Sequence, residues 1–438
     1  MKEQRKLVSI ISLGCSKNLV DSERLARLFD SAGISVKFTE DKPAEGSFAV
    51  VNTCGFIGDA KEESINTILE LINLKKEGYI RGVYAMGCLT ERYREELTTE
   101  LPELDGIYGK FDWKAIVGEI EKLHADNTVR PWERILSGAP HYTYIKISEG
   151  CNRFCAFCAI PLITGRHHSR PADEILAEVS DLVSKGTVEF NIIAQDLSSY
   201  GRDLDEGENA LASLLDSMAN IEGVEMIRLH YAYPSDFPYS ILPVMARHDN
   251  ICKYLDIALQ HISDKVLENM RRHITGKETR ELLERIRREV PGIHIRTTLM
   301  VGFPGEDEQA FEELMQFVSE QKFERMGAFA YCEEDGTFAA RHLDDNIPED
   351  VKQERLDKLM ALQHEIGCEV AQAKVGTTQR VIIDEYDASL DAYVGRTQYD
   401  SPEVDCVVYV RSEKELQPGS IHSVTIDSVE DFDLWGSL

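Results

Sequence analysis

Three cysteines within eight residues, Cys151-Asn152-Arg153-Phe154-Cys155-Ala156-Phe157-Cys158, are the strongest chemical signal in the chain. Thiolates are soft ligands, and C-x3-C-x2-C spacing can hold three irons of a 4Fe–4S cluster. No fourth cysteine stands at matching spacing. One iron is then open to an exogenous ligand, which chemistry at a cluster requires. A zinc knuckle with a remote fourth ligand, or cysteines that merely pack, are the competing readings.

A second set is dispersed. Cys15 (Ser-Leu-Gly-Cys-Ser-Lys-Asn), Cys54 (Val-Asn-Thr-Cys-Gly-Phe) and Cys88 (Ala-Met-Gly-Cys-Leu) lie 39 and 34 residues apart. Each follows the C-terminal end of an expected strand. In a parallel sheet such ends share one edge, and ligands bind in the crevice there. Three cysteines delivered to one edge can hold a second cluster, again with an open iron; chance placement or packing is the alternative. Cys252, Cys332, Cys368 and Cys406 show no ligand pattern, and core packing is expected for Cys332. His167-His168 is expected to be solvated. Ten cysteines in a long chain of this kind point to metal ligands, catalytic thiols or buried spacers rather than a disulfide framework.

The elements that must position these residues fall into three segments. Over residues 1–135, apolar runs at 7–14, 48–53 and 83–86 alternate with helical spacing at 21–31 and 61–76, which implies a Rossmann-like parallel sheet with crossover helices. Over 136–370 the alternation restarts with six βα-like units, predicting a partial (β/α)6 barrel of the TIM type. Cys151 follows its first strand, 142–147, and so sits in the first βα loop, at the face where barrel active sites collect. A connecting helix is predicted at 348–373. Over 371–438 the period changes to short alternating strands at 379–384, 393–397, 406–410 and 421–426, the pattern of a small antiparallel β-barrel.

Length and composition agree with a multidomain globular chain: 438 residues, 43% apolar and 29% charged. No apolar run approaches the roughly 18 residues needed to cross a bilayer, so no membrane association and a cytoplasmic location are expected. There are 48 basic and 77 acidic residues, net −29. Such a balance repels phosphate backbones and attracts basic proteins. Residues 375–438 concentrate it, with 4 basic against 13 acidic residues, or −9.

The cysteine loop on the first strand of a partial barrel resembles the radical S-adenosylmethionine (SAM) superfamily. That resemblance implies that the open iron chelates the amino and carboxylate groups of SAM, and that reductive cleavage, driven by an external one-electron reductant, gives a 5′-deoxyadenosyl radical. Cys151, Cys155 and Cys158 are then the catalytic cluster ligands. Phe157 matches the aromatic position near the adenine, with loop packing as the alternative, and Gln195 resembles a family position near SAM. The 297–306 segment, Thr-Thr-Leu-Met-Val-Gly-Phe-Pro-Gly-Glu, resembles the turn beside the adenosyl group. One departure stands out: Ile160-Pro161 is followed by Thr164-Gly165-Arg166 rather than the family's Ile-Pro-x-x-Arg-Gly.

The three segments together resemble the methylthiotransferase family across the whole chain, with a three-cysteine N-terminal domain, a radical SAM core and a C-terminal TRAM barrel. The resemblance implies two 4Fe–4S clusters and SAM, the Cys15, Cys54 and Cys88 cluster supplying sulfur, and a C–S–CH3 group formed where a C–H bond stood. Enzymes of this architecture act on tRNA adenosines or on ribosomal protein S12. The acidic barrel favours a basic protein partner over tRNA. Leu229-His230-Tyr231-Ala232-Tyr233-Pro234 and the ending Glu430-Asp431-Phe432-Asp433-Leu434-Trp435-Gly436 are similar to the S12-modifying branch. The expected product is an aspartate of S12 methylthiolated at its β-carbon. The rivals are a tRNA methylthiotransferase and a non-catalytic iron–sulfur redox or scaffold protein. Trp435 is expected either to plug the barrel core or to contact the partner.

Overall fold

Strands β1 (Leu7–Ser12), β2 (Ser35–Phe38), β3 (Phe48–Thr53), β4 (Gly82–Gly87) and β5 (Gly106–Ile107) form one parallel sheet in the order β2-β1-β3-β4-β5 in the computed structural model. The structure describes residues 6–121, 129–204, 207 and 209–438. Helices α1 (Ser16–Ser31), α2 (Gly58–Lys76), α3 (Cys88–Arg92), α4 (Arg94–Glu100) and α5 (Trp113–Glu121) connect or follow the strands. The strands read as continuous apolar runs because both faces are covered. Val8, Ile10, Val50 and Met86 pack under Leu25, Phe29 and Ile116, while Ile11, Val51 and Ala85 pack under Ile68, Leu71 and Ile72.

Helix α1 starts at Ser16, ahead of the apolar periodicity at residue 21. Its first turns are polar yet buried: Asn18 is 1% exposed, Asp21 and Ser22 are fully buried. Their partners are backbone carbonyls and other polar side chains, which a hydrophobic period cannot register.

Contacts divide the chain into two units, Met1–Gly138 with Ala159–Arg166, and Ala139–Cys158 with His167–Leu438. The short α6 (Ile160–Ile163) belongs to the first, where Ala159 and Ile163 are buried with Cys88.

In the second unit β6 (Tyr142–Lys146) runs through β7 (Ser148–Glu149) into the cysteine loop, and β8 (His168–Ser169) pairs back on β7. Then α7 (Ala172–Ser184), β9 (Glu189–Ile193), α8 (Ala210–Ala219), β10 (Met226–Ala232), α9 (Ile241–Arg247) and β11 (Ile251–Ile257) alternate. After α10 (Asp264–Asn269) and α11 (Gly276–Glu289) come β12 (His294–Val301), α12 (Glu308–Gln321) and β13 (Arg325–Ala330). The sheet order is β13-β12-β11-β10-β9-β6, all parallel. Each new strand adds to the same edge, the winding of a (β/α) barrel that stops at six. Helix ends are locally specified: Thr275 and Glu278 form a reciprocal capping box at the start of α11, and Arg287 and Arg288 sit in its last turn.

After α13 (Phe338–His342), α14 (Glu349–Gln372) packs on edge strand β13 and leads to the C-terminal domain. There β14 (Thr378–Asp387), β15 (Ala392–Thr397), β16 (Val408–Arg411), β17 (Ile421–Glu430) and β18 (Asp433–Ser437) close a barrel in the order β14-β15-β16-β18-β17. The fifth strand, β18, is one more than the alternation predicts, and its pairing with β16 is parallel. It is short, and Gly436 breaks its pattern because a Cβ there would sit 2.5 Å from the Thr425 carbonyl oxygen. Among the described residues no helix is long and apolar enough to cross a membrane.

Candidate functional site

The strand order of the first sheet reverses between β1 and β3, the switch point where parallel α/β sheets bind ligands beyond their C-terminal ends. Cys15 follows β1 as the N-cap of α1, Cys54 follows β3, and Cys88 follows β4 as the first residue of α3. Two glycines let the loops touch. At Gly14 (φ +87°) a Cβ would lie 2.7 Å from Cys54 Cβ and 2.9 Å from its Sγ. At Gly55 it would lie 2.6 Å from Leu89 Cα and 2.9 Å from the Cys88 carbonyl carbon.

Asn18 ties the three strand ends together. Its Nδ2 donates to the Leu13 carbonyl at 3.0 Å and the Thr53 carbonyl at 3.1 Å, and its Oδ1 accepts from Cys88 Sγ at 3.5 Å. Asn52 Nδ2 holds the Asn18 carbonyl at 2.8 Å. The thiols sense one another. Burial raises the Cys54 thiol, and Cys15 adds to the rise. Burial pushes Cys88 up to about 12, Lys110 opposes, and Cys15 and Cys54 push further the same way. A buried thiol so disfavoured as an anion gives up its proton when a cation takes its place.

In the second unit Cys151 and Cys155 are buried and Cys158 is half-buried. The loop is pinned by its backbone. Ala156 N–H donates to the Met270 carbonyl at 2.9 Å, and its own carbonyl accepts from Ala339 N–H at 2.7 Å. Burial pushes the Cys151 thiol up to about 12. Cys155 Sγ lies 3.4 Å from Tyr233 Oη and accepts from Arg272 Nη1 at 3.3 Å. Both Arg272 and Arg153 lie over the Tyr233 ring, 4.0 and 4.3 Å from its centroid. Arg153 is neutralised by Asp196 at 2.7 Å and Asp236 at 2.9 Å.

Phe157 packs edge-on to Phe303, at 6.1 Å between ring centres, beside the buried cluster of Ala156, Met270 and Met300. It therefore borders the 302–306 turn. Gln195 stands just past β9, its Nε2 donating to Glu149, which Lys146 also grips at 2.7 Å. Gln195 Oε1 is buried without a partner. Glu306 folds back on its own turn, accepting from Gly302 N–H and from Arg355, with burial raising its carboxyl to about 7 against the pull of Arg355. Gly302 makes room for Lys352, a side chain of this chain, since a Cβ there would clash with Lys352 Cγ.

The two thiol sets are soft donors of the kind iron–sulfur clusters take, and among the described residues no three His, Cys, Asp or Glu side chains close around one point. A 4Fe–4S core takes one thiolate per iron, so its ligand sulfurs stand farther apart. The orphaned Gln195 Oε1 is an acceptor suited to an ammonium group such as that of SAM.

Residues 7–109 match an uncharacterized protein family, UPF0004; residues 145–318 match the radical SAM superfamily; residues 375–438 match the TRAM domain. The chain is 55% identical to a protein named ribosomal protein uS12 methylthiotransferase RimO from Phocaeicola vulgatus, over 99% of this chain and 100% of that one. The chain belongs to the RimO family. Another relative of the same name, from Cytophaga hutchinsonii, is 42% identical over 99% of this chain and 98% of its own. As RimO family members are, this chain is a radical SAM methylthiotransferase. Its fold is also similar to the radical SAM methyltransferase TsrM from Kitasatospora setae, with a TM-score of 0.55 at 14% identity, covering 86% of this chain and 76% of that one.

The RimO-family barrel engages part of its acidity internally. Asp400 pairs with Arg325 at 2.5 Å, Asp405 with Arg296 at 2.6 Å, and Asp384 with Arg396 at 2.7 Å. Arg396 also pairs with the fully buried Glu189, which Arg228 grips from the other side. Burial opposes ionisation of Glu189, but the two guanidiniums outweigh it and hold its carboxyl at about 2. These contacts fasten the barrel to the strands of the radical SAM sheet. Trp435 faces outward, stacked on Tyr409 at 4.7 Å under the Arg411 guanidinium, and does not plug the core of Val408, Val410, Val424 and Leu434.

Other expectations change. Cys332 is exposed rather than packed, because it lies just beyond the last sheet strand. His167 is buried, its Nε2 3.0 Å from Ser169 Oγ, while His168 is exposed; pairing of β8 with β7 turns one inward and the other outward. Arg166 is exposed. Asn18, Arg153, Tyr233 and Arg272 are site residues that the sequence pattern does not single out. Asn18, Arg153 and Tyr233 lie inside motifs notable for other reasons, whereas Arg272 has no local signal at all.

Proposed function

We propose that this chain transfers a methylthio group to the β-carbon of one aspartate of ribosomal protein uS12, using SAM and two 4Fe–4S clusters. Cys151, Cys155 and Cys158 hold the cluster that binds SAM, and Cys15, Cys54 and Cys88 hold the one that donates sulfur. On this reading residues 1–135 are the sulfur-donating domain, 136–370 the radical core and 371–438 the docking barrel. When bound, these groups supply hydrogen abstraction from carbon and a methylated sulfur, with electrons from an external one-electron reductant. The observation that carries the reading is one cysteine triad at three strand ends of the first parallel sheet and another in the single loop after the first strand of the second, in a chain of this family.

The protein's own groups do the positioning. Asn18 keeps three loops in register, and the Ala156 backbone bonds fix the cysteine loop. Gln195 Oε1 would accept from the ammonium of SAM, and Phe157 on Phe303 offers an aromatic wall for its adenine. Two of the barrel's four basic residues, Arg380 and Arg396, are committed to Glu225 and to Glu189 with Asp384, and Arg411 lies over Trp435. That leaves little cationic surface for the phosphates of tRNA and an acidic one for a basic protein.

The test compares uS12 and tRNA nucleosides from a strain lacking the gene with those of its parent by mass spectrometry. Loss from uS12 of the mass of CH3S replacing H is expected. Loss of methylthio-adenosine from tRNA, with uS12 unchanged, overturns the substrate. Anaerobically prepared protein should carry about eight irons per chain; failure to cleave SAM after reduction would make it an iron–sulfur scaffold instead.

A further inference from the structure

Arg272 is 3% exposed and has no carboxylate partner among the described residues. It is held just past α10 between Arg271 (φ +56°) and His273 (φ +53°), two non-glycine residues in the left-handed region. Its guanidinium reaches the Ala258 carbonyl through Nη2 and Cys155 Sγ through Nη1 at 3.3 Å, and it lies on the Tyr233 ring. Its Nε is buried without any partner. A buried cation without a carboxylate partner is unfavourable unless another negative group offsets it. Arg153, over the same ring, has two carboxylates. The contrast points to an anion that Arg272 meets only when Cys155 is ligated.

Tyr233 supplies the second half of the device. Its hydroxyl donates to the Arg272 carbonyl at 3.1 Å and lies 3.4 Å from Cys155 Sγ. As a thiol, Cys155 can donate to that oxygen. As a ligated thiolate it can only accept, so the Tyr233 proton is contested by two acceptors, while the Arg272 N–H remains a donor in both states.

We propose that Arg272, assisted by Tyr233, is a positioning residue that raises the reduction potential of the cluster held by Cys151, Cys155 and Cys158. This rests on the cysteine assignment above. Three thiolates outweigh the charge of the oxidised core, and reduction adds one electron from an external low-potential donor, with no bond to the protein formed or broken. A buried positive charge and N–H···S bonds at a ligand sulfur stabilise the more negative, reduced state. Arg272 therefore sets how weak a donor can still start the reaction.

The experiment is an EPR-monitored potentiometric titration of the full-length holoenzyme, repeated in the full-length chain with Cys15, Cys54 and Cys88 replaced by alanine to assign the signal. Arg272→Gln should move the midpoint to a more negative potential at unchanged iron content. Arg272→Lys should keep most of the wild-type midpoint, and Tyr233→Phe should shift it in the same direction by less. SAM cleavage by Arg272→Gln should fall with a weak reductant and recover with excess titanium(III) citrate. An unchanged midpoint in Arg272→Gln with normal iron overturns the inference, as does Arg272→Lys shifting as far as Arg272→Gln. If Arg272→Gln fails to retain iron, the Arg272→Lys and Tyr233→Phe midpoints decide: both at the wild-type value refute it. A wild-type enzyme with no reducible cluster at these cysteines overturns the cysteine assignment instead.

Discussion

Cys15, Cys54 and Cys88 arrive from three strand ends and are tied by a neutral amide, Asn18, whereas Cys151, Cys155 and Cys158 share one loop flanked by the guanidiniums of Arg153 and Arg272. One thiol of each set, Cys88 and Cys151, is pushed up to about 12 by burial, whereas Cys15 is exposed. They differ in what has to be solved. A dispersed triad must first be brought into register, and hydrogen bonds between loops do that. A contiguous triad is already in register, so its surroundings are free to set charge. The first site is tied by amide–backbone contacts, with the buried Lys110 and Asp21 acting on Cys88, and the second sets two guanidiniums over a tyrosine ring.

The comparison breaks most sharply if the two triads are interchangeable. Alanine at Cys151, Cys155 or Cys158 should abolish SAM cleavage and remove about half the iron, leaving the first domain loaded. Alanine at Cys15, Cys54 or Cys88 should remove a similar share yet preserve SAM cleavage and stop sulfur insertion. Product analysis for 5′-deoxyadenosine and for methylthiolated uS12 separates these outcomes, and undiminished methylthiolation in the second group would dismiss the sulfur-donor role.

A smaller effect tests the keystone. Asn18→Ala strips partners from the part-buried Leu13 carbonyl and the buried Thr53 carbonyl, at about 1–3 kcal/mol for the buried one. Urea unfolding should show the loss, and iron should fall only at the first triad. Equal loss at both triads would show that Asn18 serves general stability.

An effect confined to high pH is shared by both sites. The folded-state thiols of Cys88 and Cys151 lie near 12 against an ordinary 9.0, so the metal-free folded chain holds those protons more tightly than the unfolded chain. Its stability should therefore fall as pH rises from about 9 towards 12. Cluster loading displaces the protons and should tighten with rising pH at both triads. Thermal melts of metal-free protein and proton release on reconstitution read the two signs; a loss of stability confined to pH below 9 would contradict the burial argument.

Much of the site is legible in the amino-acid pattern. The spacing at 151–158 stands out because its ligands are contiguous. Cys15, Cys54 and Cys88 can be grouped because each ends an apolar run, and parallel strands must share an edge. The early start of α1 is hidden because Asn18, Asp21 and Ser22 are polar residues buried against polar partners, so no apolar period marks them. The strand β18 is hidden by its shortness and Gly436. The acidity of the barrel is visible as a count, but not that Asp384, Asp400 and Asp405 are taken up by arginines, two of which, Arg296 and Arg325, stand on the radical SAM sheet.

By itself the sequence determined residue chemistry and period: which side chains can ligate iron, which runs are strands, and where the period changes from βα units to a small barrel. Only the tertiary structure decided that Asn18 joins three strand ends, that Trp435 faces outward, and that Arg272 reaches Cys155 across 117 positions of chain. The reason is physical. Periodicity records burial against an apolar core, element by element, whereas these contacts are polar pairings between distant elements, and their partners exist only once the sheets have formed.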